Sequence, residues 1–204
     1  MLIIGLTGQT GAGKSTVCDY LRAQGYAVID CDRVSREVTE PGESCLSELA
    51  AEFSTAVLCA DGSLDRRALG RIVFADRQKL NRLNEIIFPH ILRRIDEKLD
   101  ALRQKGESVA ILDAPTLFES GADRQCDLIL AVLADREVRL ARIIARDGLT
   151  REDALHRMDS QLDEGFFRGH ADFILENNGS EQSLLAGLRR ADQWIKEHAN
   201  GHFC

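Results

Sequence analysis

The sequence predicts a three-layer α/β fold built on a parallel sheet, and three observations carry that prediction. Short apolar runs at Met1–Leu6, Tyr26–Ile29, Ser108–Leu112, Asp127–Leu133 and Ala171–Leu175 alternate with stretches of helical periodicity, as strands joined by helical crossovers do. The runs contain little polar alternation, which fits strands covered on both faces. Between the second and third runs, residues from roughly Glu43 to Lys105 show several helical patterns and no convincing strand, so a helical insertion is expected there.

The first run leads into Gly8-Gln9-Thr10-Gly11-Ala12-Gly13-Lys14-Ser15, which reads G-x-x-x-x-G-K-S. The stretch from Lys14 to Ala23 follows, with Val17 and Leu21 at helical spacing. Strand, glycine loop and helix are the required context of a phosphate-binding loop. Glycines let the backbone take positive φ and approach an anion, so that successive N–H groups and the helix N-terminus face the phosphates. In that arrangement Gly11, Ala12 and Gly13 line the phosphates with Lys14, Ser15 and Thr16 following. Lys14 is expected to reach the β- and γ-phosphates, and the Ser15 hydroxyl to complete the shell of a Mg²⁺.

The second strand ends in Asp30-Cys31-Asp32, two carboxylates where ligands gather in open α/β sheets. If both residues are extended they point to the same side, so alternation does not choose between them. A strand end followed by a helix cap is the ordinary reading, with Arg33 to Val38 as the helix. In the insertion, Pro41-Gly42 and Asp61-Gly62 read as turns, and Phe88-Pro89 is expected to break the helical run. The third strand closes on Asp113, an arrangement able to hold Mg²⁺ directly or through water.

After the fourth strand, Arg139, Arg142 and Arg146 recur at three and four residues and are expected to share one helical face. They form either a solvated, salt-bridged helix or a lid whose arginines close over a triphosphate. Gly148 should end that helix, and Thr150 with Asp153 resembles a capping box opening the next. The last strand turns at Glu176-Asn177-Asn178-Gly179 into a final helix. There Leu184, Leu185, Leu188 and Ala191 are expected to face the sheet, with Trp194 and Ile195 completing the stripe.

Composition narrows the function. A length of 204 residues suits one buried α/β domain, and the net charge of −7 argues against non-specific binding to DNA or RNA. No run approaches a membrane span and no signal-peptide pattern is visible, so a cytoplasmic location and no membrane partner are expected. The six cysteines include no C-x-x-C pair and read as reduced thiols. No obligate protein partner is evident. A guanine-nucleotide switch would carry N-K-x-D and D-x-x-G, and neither string occurs.

Nearly the whole chain resembles the dephospho-CoA kinase family of P-loop kinases. The matching pieces are Gly5-Leu6-Thr7-Gly8 with Gly11 to Thr16, Val28-Ile29-Asp30-Cys31-Asp32, Gly62-Ser63-Leu64-Asp65-Arg66-Arg67-Ala68-Leu69, Asp113-Ala114-Pro115-Thr116-Leu117-Phe118-Glu119, and Arg142, Arg146-Asp147, Thr150-Arg151-Glu152 and Ala171 to Gly179. Departures are Gln9-Thr10 in the loop, Thr116, and Phe88 before Pro89 with His90 after it. The resemblance implies a P-loop kinase fold in one domain: a core of 1–40, 106–140 and 170–204, a helical CoA-side insertion at 41–105 and a lid at 141–169. It implies ATP and Mg²⁺, with dephospho-CoA as acceptor. It also implies Asp32 as the residue orienting the acceptor hydroxyl, Lys14 and Arg142 as catalytic cations, and Asn177 and Gly179 beside the adenine of ATP. Another small-metabolite or nucleotide kinase on the same core is the alternative.

Overall fold

The computed structural model describes residues 1–201, so Cys204 lies outside the described residues. The chain divides into two compact units, Met1–Ile29 with Leu102 onward, and Asp30–Ala101.

The first unit holds a five-stranded sheet in the order β2-β3-β1-β4-β5. Its strands are β1 (Leu2–Gly8), β2 (Ala27–Asp30), β3 (Val109–Asp113), β4 (Leu128–Leu133) and β5 (Phe173–Glu176). β1 is central and buried at every position, which explains why its sequence is a continuous apolar run. It runs parallel to β3, with Leu6 opposite Asp113, and parallel to β4, with Gly8 opposite Val132. β1 extends two residues past the apolar run, because Thr7 and Gly8 continue the ladder to β4.

Helix α1 (Lys14–Ala23) has the span expected from sequence and buries Val17, Cys18 and Leu21. Later in the chain come α6 (Arg136–Asp147), α7 (Arg151–Asp159), α8 (Glu164–His170) and α9 (Glu181–Gly201). Leu188, Ala191 and Ile195 of α9 join the core with Ile4, Leu6 and Leu130, and Leu184 and Trp194 pack at its margin. Leu185 departs from expectation: it is 40% exposed, because the buried stripe repeats as 184, 188, 191 and 195 and leaves position 185 on its flank. Gly148 takes φ 65 as the C-cap of α6, and Thr150 caps α7 by accepting from the Asp153 N–H.

The second unit is helical: α2 (Cys31–Glu37), α3 (Ser44–Phe53), α4 (Arg66–Val73) and all but the last three residues of α5 (Arg77–Gln104). An isolated antiparallel bridge between Leu58 and Leu64 frames the Asp61-Gly62 turn. Phe88-Pro89 does not end a helix, contrary to the sequence reading, since α5 runs through Pro89. Proline removes one ladder donor and crowds the carbonyl four residues back. Buried positions on both sides of it, Ile86 before and His90, Ile91, Ile95 and Leu99 after, hold the helix continuous against that cost. His90 also ties α5 to α3 through Glu48, Nε2 to Oε1 at 3.1 Å.

Candidate active site

The loop between β1 and α1 is held from behind by side chains that arrive late in the chain. The Asn177 amide, buried at the end of β5, donates through Nδ2 to the Ala12 carbonyl at 2.8 Å. Arg142 of α6 donates through Nη1 to the Gly11 and Ala12 carbonyls at 3.3 and 3.4 Å, and through Nη2 to Asn177 Oδ1 at 3.4 Å. The Thr10 N–H donates to Gln161 Oε1 at 2.8 Å. With the carbonyls bound on that side, the Lys14 and Ser15 N–H groups at the start of α1 have no carbonyl behind them to bond and are available to an anion, while the Thr16 N–H donates to the Gly13 carbonyl at 3.1 Å.

Two glycines make this geometry possible. Gly13 is the N-cap of α1 at φ 96, and a Cβ there would overlap the Asn177 amide. Gly11 sits at φ 79, where a Cβ would stand 2.8 Å from the Arg139 carbonyl.

Lys14 forms an ion pair with Asp113, the acid that closes β3. Asp113 is 9% exposed, and next to it the Cys18 thiol is pushed up to about 12 by burial and then by the Asp113 charge and hydrogen bond. Ser15 and Thr16 are exposed on the first turn of α1. A pocket of about 290 Å³ lies beside them, lined by Gly13, Thr16, Arg142, Asn177 and Gly179. Asn178 pins the turn, accepting from the Asp135 N–H at 2.6 Å and donating to its carboxylate at 2.8 Å.

The donor set is compatible with Mg²⁺. That ion keeps most of its waters and takes one or two protein oxygens together with substrate phosphates. Ser15, which follows Lys14 in the chain, and Asp113, which pairs with Lys14, are oxygen donors of that kind. Among the described residues no group of three or more His, Cys, Asp or Glu could form an all-protein cage.

The three arginines of α6 do not share one environment, which corrects the sequence reading. Arg142 reaches the loop, while Arg146 pairs with Asp147, which also receives Arg157 at 2.8 Å. Arg139 is 5% exposed and turns back to donate through Nε to the Ala134 carbonyl at 3.0 Å. Its Nη1 has no hydrogen-bond partner among the described residues, and burial, then Arg136, disfavours its charge. The strict spacing of three and four placed the residues on adjacent turns, but α6 is amphipathic enough that Arg139 lies beside buried Leu140 and Ile143.

Of the two carboxylates at the end of β2, Asp30 is extended and caps a helix as the ordinary reading had it, whereas Asp32 is helical rather than extended. Asp30 is the N-cap of α2, its side chain accepting from the Arg33 N–H at 3.0 Å. Asp32 is in the first helical turn and exposed. The helix starts two residues earlier than the sequence pattern suggested because Asp30 supplies the cap.

Comparison with known proteins then decides the family. The dephospho-CoA kinase family profile matches residues 2–183. The chain belongs to the dephospho-CoA kinase family. It is 41% identical over 210 residues to dephospho-CoA kinase of Syntrophotalea carbinolica, covering 98% of this chain and 99% of that one. A crystal structure of a Thermus thermophilus protein superposes with a TM-score of 0.81 at 38% identity, covering 97% of each chain. Dephospho-CoA kinase of Campylobacter jejuni superposes at 0.73 with 27% identity, covering 98% of each.

Within this family member the structure gathers Gly11, Ala12, Gly13, Lys14, Arg142, Asn177 and Gly179 around one loop. Asp32 belongs to the second unit. Two contacts of the loop were not foreseen, one made by an acid that the sequence had singled out and one by a residue that it had not. Asp113 carries a visible signal, a strand closing on an acid, although nothing local pairs it with Lys14. Gln161 carries none, since a glutamine just past a helix end has no pattern that marks a partner 151 residues away.

Proposed function

We propose that the chain transfers the γ-phosphate of ATP to the ribose 3′-hydroxyl of dephospho-CoA, giving coenzyme A and ADP. The carrying observation is the family match over residues 2–183. The phosphate loop and the Lys14–Asp113 pair supply chemistry of the matching kind.

In this reading the N–H groups at the start of α1 bind the β-phosphate, and Lys14 leaves Asp113 for the β- and γ-oxygens. Ser15, with Asp113 directly or through water, would hold Mg²⁺, which would supply neutralisation of the charge that develops on the phosphate oxygens. Asn177 and Gly179 border the adenine. The Asp32 carboxylate accepts the proton of the 3′-hydroxyl as its oxygen bonds to the γ-phosphorus and the bond from that phosphorus to the bridging oxygen breaks. Arg142 stabilises the transferring charge from a lid of residues 141–169, and the insertion at 41–105 forms the acceptor side of a single domain. A cytoplasmic location agrees with this chemistry, and no helix among the described residues is long and apolar enough to cross a membrane.

The test is ADP release from ATP and Mg²⁺ with dephospho-CoA as acceptor, with the product resolved by mass. Dephospho-CoA-dependent turnover is expected, and turnover with shikimate, a nucleoside monophosphate or water alone in its place would refute the assignment.

A further inference from the structure

A pair of guanidiniums in the unit Asp30–Ala101 stands apart from the phosphate loop. Arg66, the first residue of α4, donates through Nη2 to Thr39 Oγ1 at 2.7 Å. Thr39 is 3% exposed, and its hydroxyl is 3.1 and 3.0 Å from the Ser35 and Arg36 carbonyls. The Arg66 head is thereby fastened to the last turn of α2, from which Arg36 also projects. Arg66 remains exposed as a residue, yet partial desolvation of its head first, and the Arg36 charge second, disfavour its charge.

Several other cations in the same unit have acids: Arg33 and Lys98 pair with Glu37, and Arg94 pairs with Glu43. Among the described residues, neither Arg36 nor Arg66 has a carboxylate partner. In a chain whose net charge is −7, two adjacent guanidiniums without an acid leave a local demand for an anion. Arg36 follows Asp32 by four residues, and both are exposed, so they leave α2 on one face a single turn, about 5.4 Å, apart.

We propose that Arg36 and Arg66 bind the diphosphate of the acceptor and so select a nucleoside 5′-diphosphate ester over a nucleoside without one. The inference rests on the acceptor reading above. The 5′-phosphorus of a nucleoside lies a few bonds from its 3′-oxygen, a span comparable with the single turn between Arg36 and Asp32. Two planar forks suit the four non-bridging oxygens of a diphosphate through charge-assisted hydrogen bonds.

Arg36→Gln, Arg36→Lys and Arg66→Gln test it, by steady-state kinetics and by titration of each protein with dephospho-CoA and with adenosine. Arg36→Gln is expected to raise Kd and KM for dephospho-CoA by roughly ten- to a hundredfold, the usual worth of a hydrogen bond to a charged group. The same variant should keep kcat, KM for ATP and adenosine affinity within about twofold, and Arg36→Lys should recover part of the loss. An unchanged KM for dephospho-CoA, an equal loss for adenosine, or a fall in kcat alone would overturn the proposal. If Arg66→Gln fails to fold because Thr39 loses its donor, Arg36→Gln decides alone, since the Arg36 side chain makes no hydrogen bond among the described residues. Wild-type protein that binds dephospho-CoA without phosphorylating it would sink the reaction assignment, while the titrations still judge the arginine pair.

Discussion

Asp30 and Asp32 stand two residues apart, one capping α2 and the other in its first turn, so isosteric amides at the two positions should behave differently. Asp30 caps α2 through the Arg33 N–H at 3.0 Å. Asparagine is as good a cap as aspartate, so Asp30→Asn should leave stability nearly unchanged, whereas Asp30→Ala removes the acceptor and costs about 1 kcal/mol. For a chain of this size that corresponds to a fall in Tm of about 2 to 4 °C. Asp32 is in the first turn of α2, where a negative charge is worth about 0.3 to 1 kcal/mol against the helix dipole. Asp32→Asn therefore costs little stability. If its carboxylate takes the hydroxyl proton, kcat falls by about two orders of magnitude or more, the scale of general-base contributions, with Kd for ATP and dephospho-CoA held within a few-fold. Thermal denaturation, binding titrations and single-turnover transfer on the three variants give the readouts. Normal turnover by Asp32→Asn beside an inactive but folded Asp30→Asn would refute the assignment and exchange the two roles.

Lys14→Ala should keep the fold and lose about 3 to 4 kcal/mol of transition-state stabilisation, two to three orders of magnitude in rate; activity within a few-fold of wild type would remove the lysine from the chemistry. Arg142→Ala should lower kcat much more than it weakens ATP binding, whereas Arg139→Ala, at a buried guanidinium bonded to the Ala134 carbonyl, should act on stability by about 1 to 3 kcal/mol with kcat little changed. Comparing melting temperature with kcat for the two variants separates these outcomes. Alkaline pH should destabilise the fold: burial raises the thiols of Cys18 and Cys45 from 9.0 to about 12 and about 11, so their contribution is complete below 9.0 and is lost as pH rises through those folded values. Denaturant unfolding between pH 8 and pH 11 reads this, and a midpoint that does not fall above pH 9 would contradict it. In native protein at pH 8, exposed Cys59 should be alkylated while buried Cys18 is spared, as peptide mass mapping would show.

The sequence by itself determined what depends on local chemistry. The apolar run, the glycine spacing and the helical register from Lys14 to Ala23 are set by neighbours along the chain, and the Gly148 and Thr150 caps follow from residue type at a helix end. The central strand was legible because burial on both faces forces a continuous apolar run. Only the tertiary structure decided which long-range partner each polar group takes. Lys14 meets Asp113 99 residues away, and Asn177 meets the Ala12 carbonyl across 165, because the parallel order β3-β1-β4-β5 brings these strand ends together. Packing also overruled local preference at Pro89, where buried neighbours carry α5 through a residue that disrupts helices. The same holds at Arg139, where spacing described a solvated face and the fold buried the guanidinium. A side chain's environment is fixed by what packs on it from elsewhere in the chain, and periodicity reports only which side of its own element it leaves.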